Sequence, residues 1–596
     1  MNIVRLFAVR HTWGIICALI VGAITVLPSI LAPIALGNDY RGIQFLPLND
    51  EETYRARIHE VLDGHWRVAS PVFYEYKNVH SLIPSINEFF YALPAYIFGL
   101  SFVMIASKFI FPILIFFLAY LLIIQITEAV EPAGNNRPRW DAIAGGLLVI
   151  FYFEFIDYQF IFSLFSGQEH FPHLSIWTRP VHPVIGGLLM FAFLHGLWRT
   201  SVRPSWPTKI ATGLILALTP GYFFSFAICL FIAVALCGIY LLSKEFRKIK
   251  DIITIVLIAV AIEAPYLFGA VTTVVGGDKE FALRNGLALT HEPVINKFLL
   301  TATVFVAISF FYAYVIKKSR DYTLLWQFVF AIILGSWLAY NQQIITGRTV
   351  WFHHFIMYTI PLGFISMTLV AWAVWRKKFF RLWSVGVWIV IGVATVIGVY
   401  SATSYRFGME GFLQQQQYAE TLLLIDKVGQ KDCVVLIKEF SSRLEELITA
   451  YTHCNVYSSG YIFAARVPTE RIWHNFLLRL RLNGLTSNEL HGYLMQNYWI
   501  VRNTFFKDYD ELDIDGLDEL LLKRIALVEE RYEKFLTGDL VEQLHTYRID
   551  FFISFGPLSR EVLGTLPGFE LLHESSGYFT YRVSPVMEPK ASVNNP

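Results

Sequence analysis

Charge is what this chain has least of. Asp, Glu, Lys and Arg make up 16% of its 596 residues, against roughly a quarter in ordinary soluble domains. The 48 basic and 47 acidic residues nearly cancel, leaving +1. That balance argues against a nucleic-acid partner, which needs a concentrated basic face. Cysteine is scarce as well, with five residues, and no CxxC, HExxH or Walker-type loop occurs, which removes several sequence-readable metal, redox and nucleotide sites. No repeat of solenoid length is present either.

What fills the space is apolar. Hydrophobic residues reach 55% and aromatics 16%, as expected of a chain with many water–lipid boundaries. Runs of about 20 apolar residues suffice to cross a hydrocarbon core of about 30 Å. Such spans are expected near 13–36, 102–125, 141–160, 182–198, 251–271, 296–316, 322–340, 351–374 and 382–402. The stretch 209–242 is different. Its 34 positions would make a helix of about 51 Å, too long for one pass. Pro220 and Gly221 in "ALTPGYFFSF" interrupt it, so two short segments meeting at that break are expected. Residues 1–36 read as a retained anchor, because the apolar run exceeds the 7–15 residues typical of a cleaved signal core.

Basic residues supply the topology. Arg5 and Arg10 precede the first span, and "NNRPRW", "RTSVRPSWPTK", "SKEFRKIK", "IKKSR" and "WRKKFFR" fall in alternate loops once 209–242 is counted as two crossings. About eleven crossings result, with the N-terminus cytoplasmic and everything after residue 403 outside. The chain therefore divides into a multi-spanning domain, 1–402, with a large first outer loop at 37–100, and an extracytoplasmic α/β domain, 403–596. In the latter, "CVVLI", "SRLEELITAY" and "CNVYSS" order themselves as a parallel βαβ unit. "IDFFISFG" reads as a buried strand and "FELLHESSGYFTYRV" as a hairpin. Cys433 and Cys454 each begin a strand of the same parallel pair, so in an oxidising compartment either a disulfide or two free thiols is compatible with the sequence. Cys17, Cys229 and Cys237 fall in spans as packing residues.

The first outer loop contains "LPLNDEETYRARIHEVLDGHW". A helix is expected from Glu51 to Leu62, capped by Asn49 or Asp50, with acids suited to the positive end of its dipole. Taken alone, this is an acidic helix start lying on the membrane. Yet three adjacent carboxylates repel one another, and a site using them needs a cation, a proton or a hydroxyl nearby.

The pattern Asp50-Glu51-x-x-Tyr54-x-x-Arg57 after the first span resembles the GT-C superfamily of membrane glycosyltransferases, in the branch containing protein O-mannosyltransferases and lipid A aminoarabinose transferases. The resemblance covers about residues 1–400. It implies an inverting hexosyl- or pentosyltransferase in the cytoplasmic membrane, using a polyprenyl-phosphate-linked sugar and a lipid, glycan or protein acceptor. Asp50 matches the family's acidic position and is the expected general base, because a carboxylate within hydrogen-bond reach takes the acceptor proton as the bond forms. Glu51 stands second and Asp39 third. In this family the second outer loop often adds an acid that helps hold a divalent cation, magnesium or manganese, or the acceptor; the resemblance implies Asp157 or Glu169 for that role, with Asp39 a further acceptor- or cation-binding candidate. Glu154 and Asp157 share a helical face, where ionisable groups close to lipid usually face a cavity.

Arg179 heads the fourth span, with His170, His173 and His182 around it. Relatives often follow such an arginine with an acid, where this chain has "RPVHP". An arginine there is shaped to hold a lipid phosphate bidentately. The polar island "NQQIITGRTVWFHHF" offers Asn341, Gln342, Gln343, Arg348, His353 and His354 to a sugar hydroxyl or a departing phosphate. Glu263 and Arg284 are weaker candidates, and the aromatics of "TPGYFFSF" suit either a polyprenyl groove or helix packing. Two other classes remain open on the sequence. A transporter or flippase of lipid-linked glycans would show repeats and paired midplane charges, whereas here the charges gather at the ends of spans. A membrane scaffold would leave the polar outer loops without a common purpose.

Overall fold

The computed structural model describes residues 3–48, 50–79, 84–131, 139–157, 162–163, 166, 173–276, 284, 290–318, 322–348, 351, 353–440, 442–459, 467–506, 517–559, 563 and 568–584. The principal helices are α1 (Thr12–Leu36), α2 (Glu51–Leu62), α3 (Ile86–Phe98), α4 (Leu100–Val130), α5 (Trp140–Ile150) and α6 (Val184–Val202). They continue with α7 (Trp206–Leu218), α8 (Phe223–Leu242), α9 (Phe246–Gly276), α10 (Lys297–Phe311), α11 (Thr323–Tyr340), α12 (His353–Val374) and α13 (Phe380–Ala402). Among the described residues, nine helices are long and apolar enough to cross a membrane, and α5 is a shorter apolar helix. The protein is thus a polytopic helical membrane protein by length and composition. Leu19, Ile97, Phe102, Leu257, Ile308 and Trp388 are among the large apolar side chains that remain exposed, an outward face suited to lipid rather than water.

The stretch 209–242 breaks where its proline and glycine require. Between α7 and α8 runs a single 3-10 turn, Thr219–Gly221. Gly221 is needed there, since a Cβ at that position would come within 2.5 Å of the Asn87 side-chain oxygen. The expected span at 141–160 is also shortened. It ends at Ile150 and is followed by one brief turn, Tyr152–Ile156.

The described residues of the five basic loops gather at one end of the bundle. Arg376 pairs with Glu131 at 2.9 Å, Arg139 with Asp141 at 3.0 Å and Lys209 with Asp251 at 3.0 Å. Lys377 reaches Tyr322, and Gln327 donates to Glu245 at 2.7 Å. The opposite end collects α2, α3, the Thr219–Gly221 turn and the C-terminal part of the chain.

That C-terminal part contains α14 (Ala419–Val428), α15 (Ser442–Tyr451) and α16 (Thr469–Leu482), around strands β1 (Val434–Ile437), β2 (Asn455–Val456), β3 (Phe551–Phe555), β4 (Phe569–Ser575) and β5 (Tyr578–Val583). The sheet order is β2-β1-β3-β5-β4. The β1–β2 pair is parallel, with Val435 opposite Val456, and β1 also runs parallel to β3. β5 lies antiparallel between β3 and β4. The βαβ unit, the buried strand and the hairpin therefore stand where their hydrophobic runs lie. Cys433 and Cys454, one residue before β1 and β2, form a disulfide.

Helix α2 spans the expected residues but does not lie on a surface. Glu51, Ala56, Arg57, Ile58 and Val61 are at most 1% exposed. The helix is enclosed by α3, the end of the bundle and α15. Asp50 occupies the N-cap with a left-handed backbone (φ 65°), yet its side chain makes no capping hydrogen bond. Glu51 instead turns back to accept from the Leu48 backbone N–H at 3.1 Å.

Candidate functional site at the buried end of the bundle

A helix this polar is buried only if its charges are matched, because an unpaired buried ion costs several kcal/mol. Each turn of α2 satisfies that condition. Lys108 of α4 approaches Glu51 at 2.6 Å. Arg443 pairs with Glu52, and Arg57 with Glu88 of α3, the latter pair having both side chains fully buried. Arg55 donates to Gln44 at 2.6 Å and to the Ala450 carbonyl at 2.9 Å, and lies 4.1 Å over the Tyr451 ring. Lys77 bridges Glu60 at 2.9 Å and Asp432 at 2.5 Å. Burial raises the carboxyl of Glu51 above its ordinary value, and pushes that of Glu52 up to about 7.

Asp50 is the exception in this helix. It is half-buried, and while its backbone carbonyl accepts from the Tyr54 N–H at 3.0 Å, its carboxylate makes no hydrogen bond or ion pair among the described residues. Its charge acts on Tyr54, Arg179 and Tyr222. Arg179 is buried, donates from Nη2 to the Tyr54 hydroxyl at 3.2 Å and from Nε to the His182 carbonyl at 2.7 Å. Burial alone would lower the Arg179 guanidinium; Tyr54, Tyr222 and Asp50 outweigh it, so the net shift is upward. Burial raises the phenols of Tyr54 and Tyr222, keeping both as neutral donors at physiological pH.

The ring system behind them is continuous. His182 stacks on Tyr222 with centroids 4.4 Å apart and meets Tyr54 edge-on at 5.3 Å. Its Nδ1 lies 3.1 Å from the Asn87 side-chain nitrogen. His354 stacks on Phe224 at 4.9 Å and stands 6.4 Å from Tyr222. The Tyr222 hydroxyl is buried with no hydrogen-bond partner among the described residues. The helix break between α7 and α8 supplies Tyr222 and Phe224, while the start of α12 supplies His354. One end of the bundle thus joins a carboxylate in no ion pair among the described residues, a guanidinium, two phenols and two imidazoles. Together they can accept a proton, bind an oxyanion and hydrogen-bond hydroxyls.

A second cluster forms beyond Tyr152 and Trp177, whose rings are 6.5 Å apart. Glu154, Asp157 and His173 bring ligand atoms within 4.8 Å of one another. Glu154 accepts from the His173 backbone at 2.5 Å and faces its Nδ1 at 3.0 Å. The other Glu154 oxygen is buried with no hydrogen-bond partner among the described residues. That donor set fits a divalent ion, and its imidazole suits manganese better than magnesium, which prefers oxygen and water. The Glu154 hydrogen bond also holds the His173 imidazole above its usual value.

The remaining sequence candidates are placed elsewhere. Asp39 is exposed in the 3-10 turn after α1. Asn341 accepts from the Val294 N–H at 2.7 Å, and Gln343 donates to the Glu292 carbonyl at 3.0 Å, so both brace the neighbouring loop. Gln342 donates to the Arg348 carbonyl at 2.8 Å, closing the turn in which Arg348 lies half-exposed. Arg284 is buried against the C-terminal part, donating to Thr469 and to the Val467 carbonyl, both at 2.8 Å. Glu169, His170 and the side chain of His353 lie outside the described residues. Sequence reasoning passed over Asn87, Glu88 and Lys108. The signal was available for Lys108, a single cation inside "MIASKFIF" that lipid would not tolerate unpaired, and more faintly for the polar pair in "SINEFF".

No protein-family model matches this sequence, and no curated protein matches it.

Proposed function

We propose that this chain is an integral-membrane glycosyltransferase of the GT-C kind, which moves a sugar with inversion from a polyprenyl-phosphate donor to an acceptor on the outer face of the cytoplasmic membrane. The observation that carries the reading is the cluster in which Arg179 bonds Tyr54 and His182 stacks on Tyr222, with the Asp50 charge acting on Arg179, Tyr54 and Tyr222. Asp50 takes the proton of the acceptor hydroxyl as the new C–O bond forms at the anomeric carbon. The bond from that carbon to the phosphate oxygen breaks with its electron pair, and Arg179 meets the released phosphate charge. Tyr54, Tyr222 and His182 supply hydrogen bonds to sugar hydroxyls. Glu154, Asp157 and His173 are the residues that would hold a divalent cation, which when bound supplies a positive charge near the reacting phosphate or acceptor.

The membrane arrangement is read in the same way. The clustering of the described residues of these basic loops at one end supports eleven crossings, counting α5 and α7, with that end cytoplasmic. The Cys433–Cys454 disulfide supports an oxidising surrounding for the other end.

The decisive experiment is Asp50→Asn in purified protein, given labelled polyprenyl-phosphate sugars and a cell-envelope acceptor extract. Transfer is expected to fall by ~10²–10⁴-fold, the usual cost of losing a general base, with the fold intact by circular dichroism. Undiminished transfer removes Asp50 from the mechanism. Sugar-lipid movement across vesicles without transfer would replace the enzyme with a flippase.

A further inference from the structure

We propose that His59, Asp63 and His453 form a second, structural metal site, for zinc or a similar borderline divalent ion, which pins the first-loop helix to the C-terminal α/β part. His59 and Asp63 stand four residues apart on α2 and just beyond its end, and therefore on one face. His453 comes from the turn between α15 and β2, beside the disulfide cysteine Cys454. One ligand atom from each of the three lies within 4.8 Å of the others.

The separations carry the argument further. Tetrahedral zinc with nitrogen and oxygen ligands at about 2.0–2.1 Å keeps those atoms about 3.3–3.4 Å apart. His59 Nδ1 and Asp63 Oδ2 are 3.5 Å apart, longer than a good hydrogen bond and close to that spacing. His453 Nδ1 lies 2.7 Å from Asp63 Oδ1, so an ion entering here replaces the proton those two atoms share. The two imidazole rings face each other at 4.9 Å, tilted by 31°. Beyond His453, Asp426 Oδ1 accepts from the His453 backbone N–H at 3.2 Å and lies 3.9 Å from Nε2, close enough to bond the ring after a small shift. A carboxylate behind a metal-binding histidine is the usual means of fixing its tautomer and raising its basicity.

The electrostatic surroundings permit a cation. Asp63 and Asp426 offset its charge, and Lys431 is held by the Asp63 backbone carbonyl rather than by the carboxylate. His453 and Asp426 are 46% and 40% exposed, leaving a path for the ion and room for a water as fourth ligand. Two imidazoles and one carboxylate select zinc, cobalt or nickel over magnesium or calcium. This site is separate from Glu154, Asp157 and His173, and it shares no residue with the Asp50 cluster. Its role follows from position: it joins parts of the chain almost 400 residues apart across the face that encloses α2.

The test uses the full-length chain in detergent, stripped of metal and titrated with Co²⁺, whose visible absorption reports tetrahedral nitrogen–oxygen coordination. The expected result is one such site, displaced by Zn²⁺. His453→Gln should weaken it by at least ~100-fold, beyond the 10–100-fold usual for losing a supporting partner, while His173→Gln should leave it unchanged. His453 is exposed enough that its replacement tests binding rather than folding, and Asp426→Asn should give a smaller, 10–100-fold loss. The proposal is overturned if the intact chain gives no tetrahedral band, or if the band survives His453→Gln and disappears with His173→Gln.

Discussion

The two ends of the helix bundle handle charge in opposite ways. At the basic end, Arg376 and Glu131 pair with 27% and 39% of their side chains exposed, and water supports whatever the pair does not. At the other end, Arg57 and Glu88 pair with none. The first arrangement leaves the cations solvated and loosely paired at one end of the bundle. The second is construction: α2 is sealed under the C-terminal part, and its ions are tied inward to the bundle or outward to that part. Asp50 and Glu51 show the contrast within one peptide bond. Glu51 is buried against Lys108, whereas Asp50 keeps a half-buried carboxylate that acts on Arg179 through its charge but forms no ion pair among the described residues. Adjacent acids thus divide between one tied into the bundle and one whose carboxylate stays outside any ion pair among the described residues.

The comparison can be broken most forcefully at Arg57. Arg57→Met strands Glu88 and should cost about 3–5 kcal/mol, read as a lower unfolding temperature in detergent. The double variant Arg57→Met with Glu88→Leu should recover most of that loss. At Arg179, replacement by Ala removes charge-assisted hydrogen bonds worth about 1.5–3 kcal/mol. Donor affinity should fall by about 10–100-fold in a binding assay, with the unfolding temperature changed less than by Arg57→Met.

A pH series sharpens the contrast further. Burial pushes Glu446 up to about 9, with the Glu52 charge adding to the shift, and Glu52 up to about 7, with Glu51 adding to it, and Arg443 pairs with both Glu52 and Glu446. Raised carboxyls stabilise the folded state fully below their unfolded value of about 4.3. That contribution is lost as pH rises through 7 and then 9. Hydrogen exchange in α15, corrected for the intrinsic rate, should therefore quicken between pH 6 and 9, and Glu446→Gln should flatten the dependence. The smallest effect belongs to the basic end. Arg376→Ala should shift stability by no more than about 1 kcal/mol, and less at high salt.

Much of the architecture was legible because it is local. Spans follow from runs of apolar residues, the α7–α8 break from Pro220 and Gly221, and α2 from its capped, helix-forming stretch. The βαβ unit follows from two short β-branched runs around an amphipathic segment. The candidate site was legible only in part. Asp50, Arg179, His182 and His354 were each visible as polar residues at the ends of spans, and they do come together. Asn341 and Gln343 carried the same signal, yet they hold a loop, because nothing in a polar side chain's own neighbourhood tells bracing from binding. Lys108 was overlooked because its partner, Glu51, lies 57 positions away.

By itself the sequence determined where the chain is apolar enough to span a membrane, where it must bend, and which ends of the helices carry cations. These depend on short-range hydrophobicity and backbone geometry. Only the tertiary structure decided that α2 is enclosed rather than surface-bound, that Glu52 meets Arg443, that Cys433 joins Cys454, and that Asp50 alone of three neighbouring acids keeps its carboxylate unengaged among the described residues. Those outcomes depend on which groups are desolvated together, and that is set by contacts between segments far apart in the chain.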